Sequence, residues 1–227
     1  MKNIILSTFN IPGENGLPVL EQALVKTPYT DERGFGFENL EVQEDIISAV
    51  LIKRNATYIY EYDPVTKEMV KRQIMLFSEI PFEIDLAYHV LSVFGQAVYL
   101  TQLRSAFRNS FEFLYELGHT NLSPYHIYTT LLEKGISVTF QSISIENFVY
   151  EQGISGKLIG NVIDDAVATE LVKTYKTDVN KALLKINIDE EHSFGLQVAN
   201  NGAVKFHSSA DTFAEHFDFF KQTLFNK

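Results

Sequence analysis

In Glu79-Ile80-Pro81-Phe82-Glu83-Ile84-Asp85-Leu86, residues 79–86, every second side chain is apolar and acids fall between them. A period of two marks a half-buried β-strand, with one face on a core and the other toward water. Pro81 lacks a backbone donor, so this strand belongs at an edge or a strand start. Working upstream, Ile46 to Ile52 and Thr57 to Tyr62 are strand-like and joined through Lys53-Arg54-Asn55. The segment from Asp63-Pro64 to Glu68 turns the chain into Met69 to Phe77. Ile4-Ile5-Leu6-Ser7-Thr8-Phe9 is a further strand, stopped by Pro12-Gly13-Glu14-Asn15-Gly16, and Leu17 to Lys26 reads as a short helix.

Downstream of Gly95 the period changes to 3.6. Tyr99, Leu103, Ala106, Phe107, Ser110, Leu114 and Leu117 fall on one helical stripe, with Gly118 as its C-cap. Ser123-Pro124 starts a second helix that Gly135 closes. From Ile136 to Tyr150 the chain reads as strand, but Val138 and Phe140 are out of phase with Ile143 and Ile145. A bulge or break near Gln141-Ser142 reconciles the two phases. Gly153, Gly156 and Gly160 bracket a turn into a helix spanning Ile159 to Tyr175. Two strands follow, around Leu184, Ile186 and Ile188 and around Phe194, Leu196 and Val198. Asn201-Gly202 then turns into Val204 and Phe206. The last helix carries Phe213, Phe217, Phe220 and Leu224 on one side, with Ser208 and Asp211 placed to cap it. The fold class expected is α+β: an antiparallel, strand-rich half over residues 1–95 with segregated helices, and a mixed half over 96–227 ending in an amphipathic helix.

The chain has 227 residues, no cysteine, no tryptophan and a net charge of −10. Absence of cysteine excludes a disulfide framework, thiolate zinc and thiol catalysis. No apolar run is long enough to cross a membrane and the first ten residues lack a signal-peptide core, so a cytoplasmic protein without membrane association is expected. Glu79, Glu83 and Asp85 share a strand face and are the candidates for a metal-dependent nuclease or hydrolase. None of the thirteen lysines after Lys2 has an acid two residues before it, as a restriction-type core needs. The histidines show no i, i+4 pair. Asp189-Glu190-Glu191-His192 reads as a hairpin turn. Gly153-Ile154-Ser155-Gly156-Lys157 lacks the first glycine of a P-loop, that position being Glu151, although a glycine turn before a helix can hold an anion weakly. No metal or cofactor is expected, and the chain leans away from catalysis.

Binding surfaces remain. Lys53, Arg54, Lys71, Arg72, Arg104 and Arg108 are the candidate nucleic-acid contacts if strand ends and helix converge. Phe111, Phe113, Phe219 and Phe225 lie off the main helical stripes and are candidates for a protein or dimer interface. Residues 31–45 hold Asp31, Glu32, Glu38, Glu41, Glu44 and Asp45 against Arg33 alone, an acidic loop that an adaptor could use.

Tyr58-Ile59-Tyr60-Glu61-Tyr62 through the hairpin to Phe77, Ala97-Val98-Tyr99-Leu100, and Leu132-Glu133-Lys134-Gly135-Ile136-Ser137 with Ile145-Glu146 together resemble the layout of RexA-type phage-exclusion proteins. That resemblance spans residues 57–150 and implies dimers, DNA binding and a role in the response to phage infection. It carries no catalytic motif. The expectation is a non-enzymatic binding protein of bacterial or phage origin, acting as a homodimer through nucleic acid or protein.

Overall fold

The computed structural model describes residues 1–13, 16–120, 122–151, 153–189 and 192–226. In chain order the elements are β1 (Lys2–Asn10), α1 (Gly16–Val25), β2 (Phe35–Gln43), β3 (Ile46–Asp63), β4 (Glu68–Asp85), β5 (Val90–Phe94), α2 (Ala97–Ser110) and β6 (Glu116–His119). The second half adds α3 (Pro124–Glu133), β7 (Ser137–Glu151), β8 (Ile154–Asn161), α4 (Asp165–Thr174), β9 (Val179–Asn187), β10 (Ser193–Ala199), β11 (Ala203–His207) and α5 (Phe213–Phe225). All strands belong to one sheet of order β2-β3-β4-β5-β1-β11-β10-β9-β7-β8, with β6 added beside β1. The chain is α+β.

Two cores form on opposite faces of this sheet. Ile80, Phe82 and Ile84 of β4 join Ile47, Ala49 and Leu51 of β3 beneath Leu20 and Leu24 of α1 and Leu103 and Phe107 of α2. On the other face Leu184, Ile186, Leu196, Val204 and Phe206 lie under Ile127 and Leu131 of α3, Val172 of α4 and Phe217 and Phe220 of α5. β1 feeds both: Ile5 and Phe9 enter the first core, Ile4 and Leu6 the second. Helices therefore cover one face of the first half and the opposite face of the second.

The apolar side of the alternation at 79–86 is borne out, with Ile80, Phe82 and Ile84 buried; the acidic side expected to face water is instead covered by α5, with Asp85 buried and Glu83 nearly so against Lys221. Pro81 marks neither an edge strand nor a strand start: it lies inside β4, between β3 and β5, opposite Val50 and one residue before the pairing with β5 begins at Phe82, so its missing donor falls short of that ladder. The register of β7 on β9 shifts between Phe140 and Ser142, the bulge that the phase change at Gln141 predicts. Ser123 caps α3 by accepting from the His126 backbone N–H at 3.1 Å, and Gly202 closes the β10–β11 turn at φ +80°.

Other expectations need correction. Lys53-Arg54-Asn55 is no connection: β3 and β4 pair without a break from Ile46↔Asp85 to Asp63↔Glu68. The Asn55 side chain donates to Ser78 Oγ at 3.0 Å, so this polar segment stays in the ladder. The helix expected through Leu117 ends at Ser110, where Phe111 turns to extended backbone and stacks on Phe107 at 4.5 Å. Residues 116–119 instead pair with the Ser7–Asn10 edge of β1, Gly118 opposite Thr8. Helix α4 starts at Asp165, capped by Asp164, and Ile159 belongs to β8. Gly156 and Gly160 thus lie in a strand, and no helix N-terminus follows Gly156 to hold an anion. Residues 35–43 of the acidic stretch form edge strand β2, with Phe37 buried, rather than a loop. Thr212 takes the N-cap position of α5 in place of Ser208 or Asp211. Glu14, Asn15, Glu190 and Glu191 of the two expected turns lie outside the described residues.

His216 of α5 is buried and stacks on Phe194 with ring centroids 4.4 Å apart. Burial lowers its pKa, His192 adds to the lowering and Glu215 opposes it. A proton therefore binds the unfolded chain first, so the contribution of His216 to stability is complete above the ordinary histidine pKa and is lost as pH falls. The His216→Gln variant should show a smaller drop in thermal midpoint than wild type between about pH 7.5 and 5.5. A residual drop should persist from His207, whose pKa burial also lowers.

Candidate nucleic-acid interface

The sheet face left bare by α3, α4 and α5 is built by the alternate residues of the second core's strands. Where Ala182, Leu184 and Ile186 point into the core, Lys181, Leu183 and Lys185 point away from it. Val204 and Phe206 likewise leave Ala203, Lys205 and His207 on the outer face. Among the described residues no helix covers this surface. Strands β8–β11 and residues 137–145 of β7 contain Lys157, Lys181, Lys185 and Lys205 and no aspartate or glutamate. Lys157 pairs with Glu146 at 2.5 Å. The other three lysines have no ion-pair partner among the described residues.

Lys205 lies opposite Gln197, and Gln197 opposite Leu183, so Lys205 sits two strands from the midpoint between Lys181 and Lys185. Strand spacings of ~4.8 Å and a rise of ~3.4 Å per residue make this a triangle with sides of about 12–14 Å. Gln197 supplies a neutral polar group between the cations, and Thr139, Asn187 and Ser137 lie beside and beyond Lys185. His207 lies opposite Gly195, where an added Cβ would come within 3.0 Å of the histidine Cβ. Burial and the charge of Lys205 lower the His207 pKa, and its Nε2 is buried without a partner.

Helix α2 flanks this floor. A cavity of about 210 Å³ is lined by Asn3, Gln96, Gln197 and Lys205, which sets the start of the helix against β11 and β10. Further along, Arg104 and Arg108 line a recess of about 260 Å³ with Tyr115 and Leu117. Arg104 donates to Ser7 Oγ at 3.4 Å, Ser7 Oγ itself donates to the Gly118 carbonyl, and Arg104 Nε is buried without a partner. Burial raises the Tyr115 phenol pKa and Arg108 opposes it. A larger recess of about 530 Å³, between α1 and the end of α2, mixes Lys26 and Arg33 with Glu112 and lacks a single sign of charge.

The six basic residues expected from sequence divide between two elements. Arg104 and Arg108 lie on α2. Lys53, Arg54, Lys71 and Arg72 lie on the β3–β4 ribbon, and among the described residues no hydrogen bond or ion pair joins the two groups. Two of the ribbon cations are engaged, Arg54 with Asp31 at 3.4 Å and Arg72 with Glu61 at 3.2 Å, while Lys71 lies 4.1 Å from the Tyr58 ring centroid. Lys181, Lys185 and Lys205 escaped the sequence reading. The signal present was lysine at even spacing alternating with apolar residues, in Lys181-Ala182-Leu183-Leu184-Lys185-Ile186 and Val204-Lys205-Phe206, with no acid inside either segment.

The interface candidates are largely absorbed by the cores. Phe111 is buried, stacked 4.9 Å from Phe113, and Phe113, Phe219 and Phe225 are half-buried against the two cores. Of the metal candidates, Glu83 and Asp85 meet the ammonium of Lys221, a buried residue of α5, at 2.7 and 3.4 Å. Glu79 lies four residues from Glu83 along the strand, ~14 Å away. Lys221 thus stands where a cation would be needed, and among the described residues no three His, Asp or Glu side chains are grouped to hold a metal. Burial pulls the Lys221 pKa down, but the Glu83 hydrogen bond and the charges of Glu83, Asp85 and Asp218 outweigh it and hold the pKa above the ordinary lysine value. Neither a protein-family model nor a curated protein matches the chain.

Removing one partner of a buried ion pair strands the other charges. Lys221→Met should lower the unfolding free energy by about 3–5 kcal/mol, read from urea melts. The triple variant Lys221→Met, Glu83→Gln, Asp85→Asn should recover a large part of that loss.

Proposed function

We propose that the chain is a non-enzymatic nucleic-acid-binding protein that holds a phosphodiester backbone across the bare sheet face. The observation that carries the reading is the carboxylate-free lysine triangle of Lys181, Lys185 and Lys205, in a protein whose overall charge is −10. Affinity of this kind comes from lysine and arginine displacing condensed counterions, so a local single-signed face can override an acidic average. Arg104 and Arg108 extend the same sign along the flanking helix. Lysines contact phosphates and read no base edges, so the binding is insensitive to sequence. In the setting that the RexA-type resemblance implies, such a protein would act on nucleic acid during phage infection by occupying it, with no bond made or broken.

The test is fluorescence anisotropy with labelled duplex and single-stranded oligonucleotides. Three to five phosphate contacts predict a loss of about 40- to 500-fold in duplex affinity between about 50 and 200 mM salt. Lys181→Glu, Lys185→Glu and Lys205→Glu together should abolish binding, and replacing each lysine by alanine should reduce the salt slope by about one. Binding that survives the triple reversal, or none at low salt, would sink the reading.

A further inference from the structure

The two arginines of α2 share a recess and lack a counterion. Arg104 and Arg108 are four residues apart, on one side of the helix, and line the same space of about 260 Å³. Among the described residues neither makes an ion pair. Arg104 is anchored: it donates at 3.4 Å to Ser7 Oγ, a buried hydroxyl whose own proton goes to the Gly118 carbonyl. Its Nε is buried without a partner. A guanidinium does not shed its proton to escape that cost, so the buried donor calls for an acceptor from outside the chain. No carboxylate lines the recess to supply one. Leu117 of β6 does line it, which turns its neighbour Glu116 to the other face of the strand. Glu112 lines the separate recess between α1 and the end of α2. The remaining wall is Tyr115, whose phenol burial keeps protonated and able to donate.

We infer that this recess takes a phosphomonoester, the terminal phosphate of a nucleic-acid strand. Charge selects the group. Two guanidiniums balance the charge of about −1.5 to −2 that a monoester carries at pH 7 on its three oxygens. A carboxylate or an internal phosphodiester brings a single charge. The planar fork of arginine also fits oxygens of this kind in pairs. Size agrees: 260 Å³ falls below the roughly 300–1,000 Å³ of a pocket for a whole small ligand and suits the end of a chain that continues outside. The way out leads to the lysine face. Asn3 and Ser7 share one face of β1, and Lys205 lies opposite Asn3, so Lys205 stands about 14 Å from Ser7 across the sheet. That is the length of about four stacked nucleotides. The strand running out of the recess rests on the reading of the lysine face, whereas the phosphate pocket itself does not.

The experiment has two arms on the full chain, with circular dichroism as the folding control. In the first, inorganic phosphate is titrated by calorimetry at fixed ionic strength. Wild type should bind one phosphate and Arg104→Gln with Arg108→Gln none. Arg108→Gln alone, at an exposed position, should weaken binding about 10-fold or more. In the second arm, anisotropy compares single-stranded oligonucleotides that end in a hydroxyl with the same strands phosphorylated at the 5′ or the 3′ end. A phosphate at one of those ends should raise wild-type affinity about 10- to 100-fold. The arginine variants should lose that preference while keeping salt-dependent binding. The triple reversal at Lys181, Lys185 and Lys205 should lose every oligonucleotide and keep inorganic phosphate. A wild type that binds no phosphate, or binding that survives in the folded double variant, would overturn the pocket. Equal affinity for hydroxyl and phosphate ends would overturn the strand end as its ligand. Phosphate binding without any oligonucleotide binding would overturn the lysine reading and that ligand together.

Discussion

Strand β1 is apolar on both sides, and the rest of the architecture depends on that fact. Ile5 and Phe9 point into one core and Ile4 and Leu6 into the other, each side chain contributing about 1.5–3 kcal/mol by leaving water. The strand pairs with β5 on one edge and with β11 and then β6 on the other, so it splices two half-sheets into one. Because the cores lie on opposite faces, the second half keeps a face without helices, whereas α5 reaches over part of the first half's reverse face at Glu83, Asp85 and Phe94. The lysine floor is one product of this arrangement, a surface that remains bare because α3, α4 and α5 have their apolar residues committed to the reverse side.

A second constraint ties the chain's last helix back to its first half. Lys221 reaches β4 across more than a hundred residues of sequence and lies among Glu83, Asp85 and Asp218. Lys221, Glu83 and Asp85 are desolvated, unlike the exposed Asp218, and buried charges of this kind add little net stability compared with an apolar substitute. Their effect is to allow one seating of α5, since any rotation of the helix would leave the carboxylates on β4 without a counterion. Phe217 and Phe220 supply the adhesion and Lys221 the register.

What the sequence made legible was whatever depended on one-sided burial. The alternation at 79–86, the phase slip at Gln141 and the Ser123-Pro124 start of α3 all follow from local chemistry that the tertiary structure obeys. Leu114 and Leu117 kept helical spacing with Leu103 and Phe107, yet the unpaired edge of β1 claimed residues 116–119, and a partner over a hundred residues away leaves no local trace. Lys53-Arg54-Asn55 looked like a break because polarity there reflects departure from the sheet's body, which the ribbon survives through cross-strand pairing. The lysine face was hidden for another reason. Lys181, Lys185 and Lys205 are scattered in sequence, and their grouping needs the strand order of the sheet and knowledge of which face the helices take.

The splice at β1 also sets an order of events. Its partner β5 is made within the first hundred residues, but β11 emerges only after residue 203. On a growing chain the first core can close around Ile5 and Phe9 while Ile4 and Leu6 still face water and one strand edge stays open. Contacts across so long a separation are slow to form, and an open edge beside apolar side chains is where nascent chains adhere to one another. β6, pairing with the Ser7–Asn10 portion of β1, shields half of that edge well before synthesis ends. The short strand is then a guard for an unfinished sheet as well as a part of the completed one.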